Sequence, residues 1–375
     1  MAVLNEEQTM LRDAAKSWAQ ETSPVSKLRA LRDSGSGAPF DAAAWSEMGQ
    51  MGWAGVIVPE EHGGSAFGYL SLGLILEETG RTLTASPLLS TALIGASALA
   101  LGGSDAQKAE WLPKIAEGAV VTALAVDEAA HHAPERIALK AEKSGDGYAL
   151  TGRKTFVIDG DAAELLIVAA RTSGKPGETA GITLFLVDPK AAGVSRKHLA
   201  LADSRGAAEI TFSGAAGEVL GAVDKGWDVL EPVLDRARIG LSAEMLGSAL
   251  QAFEITLEYL KTRTQFGQVI GTFQGLQHRA AEMFADLEFS RSAVLAALHG
   301  AETGANDLGQ LASLAKARMG DTLHRISNEC VQMHGGIGMT DAADPGLYLK
   351  RARVTEALYG SAAFHRDRYA RLIGF

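Results

Sequence analysis

The hydrophobic period of this chain changes twice along its 375 residues, and this change limits the folds open to it. The first third reads helical: Asn5 and Gln8 resemble a capping box, and Met10 and Trp18 then lie on one helical face. The helical period returns at about residue 227 and persists almost to the end. The middle third instead has short β-rich runs between turn residues, at 121–126, 148–158, 165–170, 182–187 and 210–212.

This order predicts an α+β protein with an N-terminal all-helical domain, a middle antiparallel β-domain and a C-terminal four-helix bundle. The domains are predicted at residues 1–119, 120–222 and 223–375. Strands and helices do not alternate, so the pattern argues against a Rossmann domain.

Charge and cysteine content narrow the function classes further. The net charge of −10 argues against nucleic acid as a partner, because such binding needs a basic surface. The first residues lack the pattern of a secretory signal, and no apolar run is long enough to span a membrane. The single Cys330 lies in an apolar helical pattern, which predicts a packed thiol and fits a reducing cytoplasm.

Two motifs in the last third carry the functional information. Residues 263–267 read RTQFG with Gln274 shortly after, and residues 332–340 read QMHGGIGMT. Together with residues 51–69, 77–81 (EETGR) and 151–158 (TGRKTFVI), they resemble the acyl-CoA dehydrogenase family in the right order over essentially the whole chain. The late HRDR at residues 365–368 is most similar to bacterial branches.

The resemblance implies a specific chemistry. Members of the family are mostly tetramers that bind FAD, and a glutamate removes the α-proton of an acyl-CoA while the β-hydride passes to the flavin. The product is a 2-enoyl-CoA, and an electron-transfer flavoprotein usually reoxidises the flavin. No metal site is expected. The resemblance implies cofactor contacts from Arg263, Phe266, Gln274, Gln332, Gly335, Gly336 and Phe156.

The chemistry of these residues fits that role. A guanidinium at Arg263 suits a diphosphate because it is permanently charged and can bond in a bidentate way. Gly335 and Gly336 allow a ligand to approach the backbone closely, although paired glycines also end helices.

The chain departs from the family where the catalytic base is expected. The segment 358–361 (LYGS) holds no carboxylate, and a second family position for the base is Ala237, just before Arg238. Arg238 itself matches the family and is expected to help shape the acyl pocket. Glu244 and Glu356 are therefore candidate substitutes. Glu244 lies about 10 Å along the helix axis from Ala237, and Glu356 lies about 6 Å from Gly360. Either glutamate would therefore need a rearranged substrate.

Both glutamates also have a structural interpretation. Glu244 lies in a largely apolar stretch, which would raise its pKa if it acted as the base. Alternatively, each carboxylate is bonded within the helical bundle, for example by an ion pair of Glu356 with Arg351 or Arg353.

Further departures fall in the middle domain. Residues 124–133 (LAVDEAAHHA) replace a family segment rich in hydroxyls, and only Glu128 matches it. Asp127 would place a negative charge beside a reduced flavin. The histidines 131 and 132 are interpreted as solvated, Lys154 as a surface lysine, and Ile158 replaces a threonine that bonds the flavin edge in the family.

Three functional interpretations remain open. In the first, which the clustering of losses favours, the chain is the base-lacking subunit of an α2β2 heterotetramer with a second acyl-CoA dehydrogenase-like subunit, as in some bacterial members that degrade steroids. In the second, it is a homotetrameric or homodimeric dehydrogenase with a relocated base. In the third, it is a non-enzymatic acyl-CoA-binding or scaffold protein.

Overall fold

The computed structural model describes residues 4–145 and 147–375, which divide into two compact units. The first, called here the helical unit, comprises Met1–Ala30, Tyr69–Thr84 and Arg238–Phe375. The second, called the β unit, comprises Leu31–Gly68 and Ala85–Ala237. The domain boundaries expected from the sequence stay a prediction.

The first third of the chain is helical, as predicted. Its helices are α1 (Glu6–Glu21), α2 (Val25–Asp33), α3 (Ala42–Gln50), α4 (Gly68–Arg81), α5 (Ala96–Gly102) and α6 (Asp105–Ala116), with a π-helical segment at Leu88–Gly95. The capping box before α1 is confirmed, because the Gln8 amide donates to Asn5 Oδ1 at 2.7 Å and the Asn5 amide donates to Gln8 Oε1 at 3.1 Å. Two otherwise unpaired amides at the helix start are thereby satisfied.

The middle of the chain forms the predicted β-domain. Its strands are β1 (Thr122–Ala125), β2 (Lys140–Ser144), β3 (Gly147–Ile158), β4 (Leu165–Arg171), β5 (Ile182–Val187), β6 (Val194–His198) and β7 (Ala207–Leu220). Strands β4, β2, β3, β7 and β5 pair in a closed ring, which leaves β1 paired outside it on β4 and β6 on β7. Most pairings are antiparallel, but β1 and β2 each pair with β4 in parallel. The enclosed core includes Leu150, Val168 and Phe185.

The helical period after residue 227 yields α7 (Trp227–Thr262). A two-stranded hairpin of β8 (Thr264–Gln265) and β9 (Gln268–Val269) follows, and then α8 (Gln274–Thr303), α9 (Leu308–His334), α10 (Pro345–Ala357) and α11 (Ala362–Leu372). The predicted helical C-terminal domain is therefore confirmed, with two shorter helices after its three long ones. Among the described helices, none is both long and apolar enough to cross a membrane.

Candidate functional site

The RTQFG motif forms the small hairpin that follows α7. Thr264 pairs with Val269 and Gln265 with Gln268, so Phe266 and Gly267 are the two turn residues. Their φ angles of +53° and +79° fit a type I′ turn, which needs positive φ at both positions. The turn presents Phe266 almost fully to solvent, at 91% exposure, and Arg263 at the base of the hairpin is also exposed.

The Gly-Gly motif ends α9. Gly335 has φ +64°, and a Cβ added at Gly335 or Gly336 would meet no atom within 4 Å. The backbone there is bare and open, and Gln332 and Gln274 are exposed as well. These positions satisfy the steric requirement for close approach of a cofactor.

The ends of α7 and α9 adjoin one another. The ring of His334 stacks on Tyr259 with a centroid distance of 4.4 Å, and its Nδ1–H donates to the Cys330 carbonyl at 2.6 Å. Both rings line a cavity of about 320 Å³ together with Thr262 and Ile337. The structure therefore brings the two sequence motifs into one region of the helical unit.

The thiol of Cys330 is packed, as predicted. Cys330 is fully buried, and its Sγ donates to the Ala252 carbonyl at 3.4 Å. Burial raises the pKa of the Cys330 thiol to about 11, so the thiol stays protonated at neutral pH.

The segment 358–361, called here the 358–361 turn, lies between α10 and α11. Arg238 is fully buried, and its Nε donates to the Tyr359 carbonyl at 3.3 Å. Its guanidinium also lies 5.7 Å from the centre of the Phe364 ring. Arg238 thus contacts the turn directly, and its part in shaping an acyl pocket stays a prediction.

Glu244, the first candidate base, is held in an ion pair. Its Oε1 accepts from Arg351 Nε at 3.0 Å and from Arg351 Nη2 at 2.8 Å, and both side chains are at most 6% exposed. To accept a proton, this carboxylate would have to give up a buried charge partner, which typically costs about 3–5 kcal/mol. The contacts match the interpretation of Glu244 as a carboxylate bonded within the bundle.

Glu356, the second candidate, is also engaged. Its carboxylate accepts from Arg353 Nη1 at 2.8 Å and lies 3.2 Å from His324 Nδ1. The ion pair with Arg353 is one of the two alternatives considered from the sequence, whereas Arg351 turns to Glu244. Whether either glutamate acts as a base stays a prediction.

In the β unit, the loop after β1 is held by its own charged side chains. His132 Nδ1 lies 2.9 Å and 3.0 Å from the two carboxylate oxygens of Asp127. Glu128 accepts from the Leu139 amide at 3.0 Å and from Lys154 Nζ at 2.7 Å. Both loop carboxylates are therefore engaged within the loop and with strand β3.

Two expectations for this region were wrong. Lys154 is fully buried rather than on the surface, because its ammonium bonds Glu128 and the Val126 carbonyl, and burial lowers its pKa. The His132 side chain is only 2% exposed, because it packs against Asp127 instead of facing solvent. His131 is exposed, as expected.

Phe156 lies at an irregularity of β3. The register between β3 and β7 shifts between Lys154 and Val157, and Phe156 has φ +51° and is 42% exposed. A bulge of this kind turns a side chain out of the strand. The ring is thus available for contact, while the neighbouring Ile158 is half-buried and has no hydroxyl.

Sequence reasoning missed a group of buried basic side chains under the 358–361 turn. Lys316 is fully buried and donates to the Gly360 carbonyl at 3.0 Å and the Glu356 carbonyl at 3.3 Å. His365, also fully buried, donates from Nε2 to the Tyr359 carbonyl at 3.0 Å. A lysine on the apolar face of α9 was the available signal.

Burial shifts the pKa values of both groups. It lowers the pKa of Lys316 to about 7. It also lowers the pKa of His365 to about 2, with a further contribution from the neighbouring Arg238. His365 is therefore neutral at physiological pH, and its Nε2 carries the proton that the carbonyl accepts.

Three family models match this chain along nearly its whole length. The N-terminal domain of acyl-CoA dehydrogenases matches residues 5–119, the middle domain matches 128–214 and the C-terminal domain matches 224–374. Among curated proteins, the acyl-CoA dehydrogenase IpdE2 of Mycobacterium tuberculosis is 31% identical over 95% of this chain and 94% of its own length.

Solved structures agree in fold. A variant of the Tcur3481–Tcur3483 steroid ACAD is 31% identical with a TM-score of 0.89, and the match covers 98% of each chain. The ChsE4–ChsE5 complex of Mycobacterium tuberculosis is 25% identical with a TM-score of 0.89, covering 100% of this chain and 99% of that one.

Proposed function

This chain belongs to the acyl-CoA dehydrogenase family, and we propose that it is the base-lacking subunit of an α2β2 heterotetramer. The assembly would convert an acyl-CoA thioester to a 2-enoyl-CoA with FAD. The observation that carries the proposal is the 358–361 turn, which has no carboxylate, while Glu244 and Glu356 are both engaged by arginines. A base would then come from the partner subunit.

The role proposed for this chain is to bind the adenine end of a flavin that is seated in the partner. Bound FAD supplies the hydride acceptor for the β-carbon of the substrate. Arg263 would meet the diphosphate with a permanent charge. Phe266, Gln274, Gln332 and the bare Gly335–Gly336 backbone would lie along the adenosine; the exposure of these residues and the open space at the glycines support this role.

The residues of the β unit also support a flavin ring that is seated in the partner subunit. A flavin ring takes up negative charge on reduction, so a carboxylate at Asp127 is a poor neighbour for it, and Ile158 offers no hydroxyl to bond its edge. The loop carboxylates are already satisfied by His132 and Lys154. These residues fit a flavin ring poorly, whereas the helical unit fits its adenine end.

The relatives favour a bulky substrate and a two-chain enzyme. One similar structure is a steroid ACAD named for two components, and another is a complex of two differently named chains. We therefore propose a steroid-like or lipid acyl-CoA as the substrate and an electron-transfer flavoprotein as the electron acceptor. The chain would be inactive without its partner.

Flavin content separates this proposal from its alternatives. We expect the purified chain alone to be colourless, and co-expression with a dehydrogenase chain that retains its glutamate to yield about one FAD for each pair of chains. A full FAD per chain with turnover in the absence of a partner would refute the proposal in favour of a relocated base. Flavin-free protein without activity in any pairing would favour the scaffold.

Substitutions then test the two glutamates. In the active pair, Glu244→Gln and Glu356→Gln should change turnover no more than they change the amount of folded enzyme, and Glu7→Gln at an exposed position of α1 is the matched control. Loss of turnover with flavin and folding intact would identify the substituted glutamate as the base.

A further inference from the structure

Three buried side chains on three different helices donate hydrogen bonds to the backbone of the 358–361 turn. Arg238 on α7 and His365 on α11 both donate to the Tyr359 carbonyl, at 3.3 Å and 3.0 Å. Lys316 on α9 donates to the carbonyls of Gly360 and Glu356. The backbone oxygens of the turn therefore point inward, towards buried cationic or donor groups.

The turn also depends on glycine. Gly360 has φ +112°, a conformation that side-chain-bearing residues rarely adopt. A Cβ at this position would lie 2.4 Å from Phe364 Cδ1 and 2.8 Å from His365 Nε2. Tyr359 has φ +54°, so two successive residues are in the left-handed region. A side chain at position 360 would force both Phe364 and His365 to move.

The charges around Lys316 explain why it binds carbonyls. The charged groups around it are Arg238 on α7 and Glu356 on α10, and it acts in turn on His365 of α11, which also has Arg368 nearby. The only carboxylate among them, that of Glu356, bonds Arg353 and lies beside His324. A buried lysine nitrogen needs hydrogen-bond acceptors, and the carbonyls of Gly360 and Glu356 supply them.

We propose that Lys316 is a positioning residue, whose side-chain nitrogen, by donating to the Gly360 and Glu356 carbonyls, fixes the glycine-dependent shape of the 358–361 turn, the segment in which this chain has no carboxylate. The meaning given to the turn rests on the proposed function, but the role of Lys316 in setting its shape does not. The missing carboxylate is, on this view, part of a supported local structure and not an isolated substitution.

Hydrogen exchange followed by mass spectrometry on the full chain tests the proposal. In Lys316→Met, which keeps the length of the side chain, exchange in a peptide covering residues 354–362 should accelerate about tenfold or more, because the hydrogen bonds from Lys316 Nζ to two backbone carbonyls are lost. Peptides of the β unit should be unchanged. Lys350→Met, at an exposed position of α10, is the matched control and should leave the peptide unaffected.

The pH dependence of exchange separates positioning from packing. In the open turn Lys316 regains its ordinary pKa of 10.5, whereas in the closed turn its pKa is about 7. The open form therefore binds more protons, so protection of the peptide, corrected for intrinsic exchange, should rise from about pH 7 to pH 9. This slope should vanish in Lys316→Met; a slope that persists, or unchanged exchange, would overturn the proposal.

A second variant covers the case in which Lys316→Met does not fold. Gly360→Ala should accelerate exchange in the same peptide, whereas Gly346→Ala, where an added Cβ meets no atom within 4 Å, should not. Equal exchange in the two glycine variants would contradict the glycine-dependent turn. A chain that binds a full FAD and turns over alone would refute the proposed function while leaving these exchange results intact.

Discussion

Breaking the Glu244–Arg351 ion pair from one side should cost more stability than removing both partners. The two side chains are 5% and 6% exposed, and Arg351 reaches Glu244 Oε1 with two nitrogens at 3.0 Å and 2.8 Å. Removing one partner leaves a buried charge without its counter-ion, so Glu244→Met and Arg351→Met should each lower the free energy of unfolding by about 3–5 kcal/mol. The double variant should lose only about 1 kcal/mol, because two apolar side chains of similar size fill the space.

Urea unfolding of all four proteins gives the coupling energy of the cycle, expected at about 5 kcal/mol or more from these losses. The control is the exposed pair Glu258–Lys261, whose side chains are 69% and 65% exposed and whose coupling should stay below about 0.5 kcal/mol. Additive losses in the Glu244–Arg351 cycle would refute the reasoning. Additive losses would also favour Glu244 as a candidate catalytic base.

Three further predictions concern other parts of the chain. Lys154→Met should lower the free energy of unfolding of the β unit by about 3–5 kcal/mol in urea, because it leaves the half-buried Glu128 without its ammonium partner. The control Lys143→Met, at an exposed position of β2, should have little effect. Phe266→Asn should change the free energy of unfolding by no more than about 0.5 kcal/mol, because asparagine tolerates positive φ. The same substitution should reduce the amount of flavin that the co-expressed pair retains. An unchanged flavin content would argue against a cofactor role for the ring. Cys330 should react with a thiol reagent at pH 8 only after unfolding, as followed by absorbance, because its pKa is about 11, and rapid reaction in the folded chain would contradict its burial.

The periodic parts of the fold were predictable because each carries its own local signal. The long helices α7, α8 and α9 follow an apolar period, and the strands β4 and β5 are continuous apolar runs. Strands β2 and β6 were missed because most of their residues are exposed and polar, so they show neither alternation nor a β-branched run. These strands exist because β3 and β7 offer them hydrogen bonds.

The candidate site was predictable only in its motifs. Arg263 and the glycines after Gln332 could be named from the sequence because each belongs to a short segment. The partners of the charged groups could not be named, since Glu244 meets a residue 107 positions later and Lys154 meets one 26 positions earlier. Tertiary packing decides whether a lysine is buried against such a partner, and the local composition does not reveal that packing.

The shape of the 358–361 turn has an evolutionary consequence. A single substitution that put a glutamate at position 360 would place a side chain where Phe364 and His365 already stand and would impose a disfavoured φ angle. The new carboxylate would become useful only after the residues around the turn had also changed. A gain of a carboxylate at position 360 would therefore take several substitutions together, and not one.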